Sequence, residues 1–202
     1  MATMHTKATL IASAPAAQLA RHVGALGLPR RAISLPADPD VAPGFHAFIE
    51  LWGDESAVRT AVEKWPFPAR AWLVTEHSPL RYERTWSSGT PSPGVRLVSS
   101  VFRRPGLTRA AFADHWLGPH AQVARSYTVP VWHYNQNVVI EALTPDSGED
   151  GFVGMHFETR DQMQARWRDY PAEAARGAKD AALFMDATRT VSLVTVETVW
   201  TD

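Results

Sequence analysis

Residues 87–94 read Ser-Ser-Gly-Thr-Pro-Ser-Pro-Gly. Two prolines and two glycines among hydroxyl residues can continue neither a helix nor a central strand, so this segment is a connection. It parts the 202-residue chain into stretches of similar length, 1–86 and 95–202. Downstream, Val95 to Phe102 is rich in β-branched residues and reads as a strand. Thr108 is placed to cap a helix beginning at Arg109, with Phe112 and Trp116 on one face. Strands follow from Trp132 to Ile140 and, beyond the loop 144–151, from Phe152 to Glu158. A helix over Asp161 to Arg168 ends ahead of Pro171, and the alternating run Thr190 to Trp200 is the last strand. The order βαββαβ is that of a ferredoxin-like unit.

Upstream of the connection the same order recurs more loosely. Lys7 to Ala12 reads as a strand, Ser13 as an N-cap with Pro15 in the first turn, and Gly24 as the end of that helix. A short strand at Ala32 to Leu35 and a third at Phe45 to Trp52 precede a helix over Glu55 to Lys64. Ala71 to His77 is the fourth strand. Laying residues 49–58 over 154–163 matches the pattern, not the identities. The fold class is therefore α+β, two tandem ferredoxin-like units joined at 87–94.

Composition narrows the chemistry. The chain is 45% hydrophobic and 20% charged, with a net charge of −1, which fits a packed globular protein. Twenty basic residues against 21 acidic ones argue against a broad nucleic-acid face. With no cysteine, disulfides, thiolate metal sites and cysteine nucleophiles are excluded. Residues 1–20 imitate a signal peptide weakly, but the apolar run Ala8 to Ala12 is shorter than the expected ~7–15 residues. No run approaches the ~18–20 apolar residues of a membrane helix. A cytoplasmic protein without a membrane partner is expected.

The nucleotide, phosphate and hydrolase signatures are missing, and no His/carboxylate set has the usual metal-ligand spacing. Neither metal nor cofactor is therefore expected. The informative stretch is 112–121, Phe-Ala-Asp-His-Trp-Leu-Gly-Pro-His-Ala. Gly118-Pro119 should interrupt the helix and open a new one, placing His120 in a first turn whose free N–H groups disfavour imidazolium. His120 is then a neutral base near pH 7. In an uninterrupted α-helix, His115 and His120 would stand about 140° apart and share no ligand.

Residues 102–121, 132–139, 149–163 and 180–200 together resemble the EthD family of the dimeric α+β barrel superfamily. The resemblance rests on a basic-Pro-Gly turn, a Phe112-x-x-x-Trp116 helix ending in His120-Ala121, the Tyr134-x-Gln136-Asn137 strand and the Asp150-Gly151 turn. It covers about half of the chain; residues 1–86 are similar in element order alone. It implies two ferredoxin-like units packed sheet to sheet around a mostly apolar cleft. The barrel would form within one chain or between the two chains of a homodimer.

Strand alternation then selects barrel-facing residues. His46, Phe48, Glu50 and Trp52 share one parity, and Phe152, Gly154, His156 and Glu158 share another, leaving Ala47, Ile49, Leu51, Val153, Met155 and Phe157 to pack under helices. A one-residue slip would reverse both sets. Tyr134 and Asn137 have opposite parity, and the resemblance favours Tyr134 as the ligand-side residue. Trp52, Trp116 and Trp132 are candidates for an aromatic-binding wall or for core filling.

For function, these residues and the resemblance point to a cofactor-independent lyase or cyclase. It would act on a hydrophobic aromatic or polyketide-like small molecule, by decarboxylation, dehydration or cyclisation. His120 is the base, His156 and Tyr134 are stabilising donors, and Glu50 or His46 is the partner acid. Trp116, Trp52, Phe48, Phe152 and Asn137 contact the substrate. Two alternatives stand beside it: a cofactor-free or haem-dependent oxidoreductase, with His156 or His120 as the haem's axial imidazole, and a non-catalytic binding module for a hydrophobic metabolite.

Overall fold

The computed structural model describes residues 6–38, 47–129, 131–145 and 148–202. His46 lies outside them. In the first half, β1 (Thr6–Ala12), α1 (Ala16–Ala25), β2 (Arg30–Pro36), β3 (Ala47–Gly53), α2 (Glu55–Glu63) and β4 (Ala69–Leu80) follow in order. In the second come β5 (Val95–Val101), α3 (Arg109–His115), a π-helical turn (Trp116–His120) and α4 (Ala121–Arg125). They are followed by β6 (His133–Ala142), β7 (Gly151–Phe157), α5 (Arg160–Arg168), α6 (Pro171–Phe184) and β8 (Ser192–Thr201).

Among the described residues the strands close into one barrel of order β1-β3-β2-β8-β5-β7-β6-β4. Each half contributes the same internal order, β4-β1-β3-β2 and β8-β5-β7-β6. Antiparallel pairings β2 with β8 and β4 with β6 join the halves. One chain thus completes the barrel, with every strand paired on both sides and no free edge left to template aggregation. The connection runs along β8, where the Gly89 and Ser92 amides donate to the Val199 and Glu197 carbonyls.

The ladder aligns the halves residue by residue. Lys7 opposes Trp52 in β1–β3 as Arg96 opposes His156 in β5–β7. Trp52 and His156 are therefore equivalent, as are Glu50 and Gly154, which shifts the overlay read from the sequence by one position. The alternation holds: Ala47, Ile49 and Leu51 pack with α1 and α2, while Phe48 meets Trp72, Val98 and Phe152 inside the barrel.

Local signals explain most helix starts. Thr108 accepts from the Ala111 amide at 3.1 Å and Thr159 from the Gln162 amide at 3.0 Å, each satisfying an orphan donor of the first turn. Ser13 does not cap α1: Pro15 holds the N-cap position, with no side-chain cap. A second expectation is overturned as well. Gly118-Pro119 does not break the helix; the chain continues through a π turn, because widening to an i→i+5 ladder accommodates the amide that proline lacks. Pro171 does more than follow a helix: it opens α6, where its missing N–H costs nothing.

Candidate functional site

The wall of the barrel divides the residues expected at the site. Phe48, Glu50, Trp52, Asn137, Phe152 and His156 point inward, whereas Trp116, His120 and Tyr134 lie between the sheet of the second half and its helices. Successive β6 residues Tyr134 and Asn135 face opposite sides, as strand geometry demands. His120 and His156 are not brought together.

The helix-side cleft encloses about 530 Å³. Its floor is Leu97, Tyr134, Val153 and Met155, and its walls are Trp116, His120 and the alanine-rich face of α6. Small residues on α6 leave the volume that larger ones would fill. The π turn decides the polar chemistry. In an i→i+5 ladder residues five apart stack, so His115 and His120 reach the same carboxylate. His120 Nδ1 lies 2.7 Å from Asp180 Oδ2, and His115 Nε2 lies 3.1 Å from Asp180 Oδ1. The Phe184 ring packs on both imidazoles, at 4.9 Å from His120 and 5.1 Å from His115.

Asp180 accepts from Nδ1–H of His120, and that assigns the tautomer and leaves Nε2 as a lone-pair acceptor. Burial pushes the His120 pKa down, and the Asp180 carboxylate opposes that shift without cancelling it. The neutral base inferred from the sequence thus has a different cause: desolvation rather than a helix start. Burial raises the Tyr134 phenol above its ordinary pKa, keeping it protonated. Arg166 stacks 3.7 Å above the Tyr127 ring and donates to the Val129 and Ala124 carbonyls, pinning α5 to the end of α4.

Inside the barrel the chemistry is ionic. Lys7 Nζ lies 2.6 Å from Glu50 Oε1, 2.7 Å from Asn137 Oδ1 and 3.3 Å from Glu76 Oε1. Arg96 Nη1 lies 2.5 Å from Glu50 Oε2 and 2.6 Å from Glu197 Oε1. Burial alone would raise the Glu50 pKa, but the Arg96 and Lys7 charges hold it below the usual carboxylate range. His156 is fully enclosed, with Nε2 donating to the Pro93 carbonyl at 2.9 Å and rings of Tyr82 and Trp132 around it. Glu50 is thus paired on both oxygens, whereas His156 is bonded through Nε2 and its buried Nδ1 has no hydrogen-bond partner among the described residues. Trp52 donates from its indole to Glu76 at 2.8 Å and spends its polar edge there.

Asp180, Lys7 and Arg96 were not among the residues expected from sequence. For Lys7 and Arg96 the available signal was alternation, since each shares the inward parity of its strand; for Asp180 it was the Ala-rich run after Pro171. Among the described residues no group of three or more His, Asp or Glu could hold a metal ion. None of their helices is long and apolar enough to cross a membrane.

No family model and no curated protein matches the sequence. Solved structures do. An anthrone oxidase-like protein aligns over 99% of this chain and 94% of its own, at 10% identity and a TM-score of 0.69. A candidate monooxygenase of Fusobacterium nucleatum aligns over 98% and 94%, at 6% identity and a TM-score of 0.60. An EthD-family protein of Bacillus halodurans covers 50% of this chain and 94% of its own, at 19% identity and a TM-score of 0.40. The likeness is one of fold, the dimeric α+β barrel. Placement in the EthD family goes beyond these likenesses.

Proposed function

We propose that the chain is an enzyme that holds a hydrophobic aromatic molecule in the helix-side cleft and moves a proton with His120. One observation carries this reading: His120, held by Asp180 at 2.7 Å, borders an apolar cavity of about 530 Å³. That volume lies in the range of small-molecule sites, ~300–1,000 Å³. Apolar walls bind a hydrophobic body, and His120 supplies a base beside it.

The proposed chemistry rests on two polar groups. Nε2 of His120 takes a proton from a phenol or from carbon beside a carbonyl, and the positive charge that develops on the ring is stabilised by Asp180. The enolate or phenolate formed needs a donor that is itself uncharged. The protonated Tyr134 phenol on the cleft floor is suited to that role. Return of the proton from Nε2 to the leaving or product atom completes a decarboxylation, dehydration or ring closure, with no net change in oxidation state. His46, Glu50 and His156 have no part in this scheme.

A second reading shares the first step. The likeness to an anthrone oxidase-like protein and a candidate monooxygenase favours reaction of the same electron-rich anion with dioxygen. Incubation with hydroxylated aryl ketones, with and without oxygen, and mass spectrometry of the products tests both. Turnover without oxygen supports the lyase or cyclase; oxygen-dependent turnover supports the second reading. A visible absorption band in the purified protein would point instead to haem on His120. Full turnover by well-folded His120→Gln ends all three, and binding without turnover leaves a carrier.

A further inference from the structure

At one end of the barrel interior lies a second cavity of about 340 Å³ that the His120 chemistry does not use. Its floor is the ion-pair network, in which the carboxylates of Glu50, Glu76 and Glu197 face the cations Lys7 and Arg96. That layer has one negative charge in excess. Three further arginines, Arg30, Arg81 and Arg84, line the cavity, and none of them forms a salt bridge with a described carboxylate. The whole mouth is therefore two positive charges in excess.

Its polar groups are also unfinished. Arg84 donates through Nε to the Trp86 carbonyl and through Nη2 to the Ser87 carbonyl, while its buried Nη1 has no partner among the described residues. The buried Nδ1 of His133 is likewise unpaired. A buried donor left unmade is costly, so an occupant that satisfies it gains what the empty cavity forgoes. Two aromatic rings stand in the lining: Trp52, with the Arg30 guanidinium 4.2 Å and Lys7 Nζ 4.4 Å from its ring centroid, and Tyr82.

We propose that this barrel mouth binds a small planar aromatic carboxylate, with its ring beside Tyr82 and its oxyanion on Arg84 and Arg30. Guanidinium forks match a planar carboxylate, and a flat aromatic side chain matches a ring. The acidic floor repels a second charge, which selects a monoanion whose inner edge is apolar or hydroxylated. A phosphate monoester presents related oxyanion chemistry, and the test separates the two. The barrel wall lies between this site and the His120 cleft, so the two bind independently.

Calorimetric titration of the full chain with benzoate, phenyl phosphate and benzyl alcohol decides it. Benzoate is expected to bind, benzyl alcohol not to, and Arg30→Gln or Arg84→Gln to weaken benzoate by about tenfold or more. His120→Gln should bind benzoate as the parent does. Arg84 also braces its loop, so the exposed Arg30 supplies the deciding variant should Arg84→Gln fail to fold. The proposal is overturned by an absence of benzoate binding into the millimolar range, by equal binding of benzyl alcohol, or by unchanged affinity in Arg30→Gln. Loss of binding in His120→Gln also overturns it by moving benzoate to the cleft, and a clear preference for phenyl phosphate overturns the carboxylate assignment.

Discussion

Gly154 makes room for Arg96. A Cβ at Gly154 would stand 2.5 Å from Arg96 Nη2 and closer still to the Asn135 side chain. Its counterpart in the first half is Glu50, and the asymmetry has a consequence. One carboxylate serves both central cations, Lys7 and Arg96, while Glu76 and Glu197 flank them. Gly154→Ala should therefore destabilise the fold by about 1–3 kcal/mol, the usual range for overpacking. Denaturant unfolding measures it, and unaltered stability would mean that the Arg96 side chain relocates freely.

Removing one partner of the central network should cost more than removing volume. Lys7→Met leaves Glu50 and Glu76 with less compensation in a site where Lys7 is 2% exposed. A loss of about 3–5 kcal/mol is expected, as for other buried pairs broken on one side. Chemical denaturation gives the figure; a loss under about 1 kcal/mol would mark the network as energetically idle.

Turnover should follow His120. His120→Gln is expected to lower the rate by ~10²–10⁴ while leaving the melting curve in place. Because burial depresses the His120 pKa, the proposed reaction should keep its base neutral below pH 6.5 and lose rate only at more acidic pH. Asp180 opposes that depression, so Asp180→Asn should move the acid limb to still lower pH and reduce the rate at its plateau. A surface histidine would leave the pH profile unmoved.

His133 should make stability pH-dependent. Burial, with the Arg96 charge nearby, lowers its pKa from 6.5 to about 4. Below pH 6.5 the unfolded chain takes up the proton before the folded one does, so stability falls from pH 6.5 toward pH 4 and then levels off. Melting temperatures across that window should lose this slope in His133→Gln. An identical slope would assign the effect to other groups.

Much of this was legible because strands have a period of two. Phe48, Glu50 and Trp52, or Phe152, Gly154 and His156, could be set on one face from spacing alone, and the ladder keeps them there. Thr108 as a cap was equally readable, since its hydroxyl needs only the amide three residues on. The helix through Gly118-Pro119 was not readable. Whether proline ends a helix or widens a turn depends on what the turn packs against, here Asp180 and Phe184 of α6.

By itself, then, the sequence determined the alternation of each strand, the doubled βαββαβ order and the absence of thiol chemistry. These rest on local geometry and composition. Tertiary structure alone decided that one chain closes the barrel, that His120 pairs with Asp180 across 60 residues, and that the barrel wall keeps His120 apart from His156. Which side of a sheet becomes a cleft and which becomes a closed interior depends on the volume left between packed elements, and that is a property of the whole assembly of helices on strands.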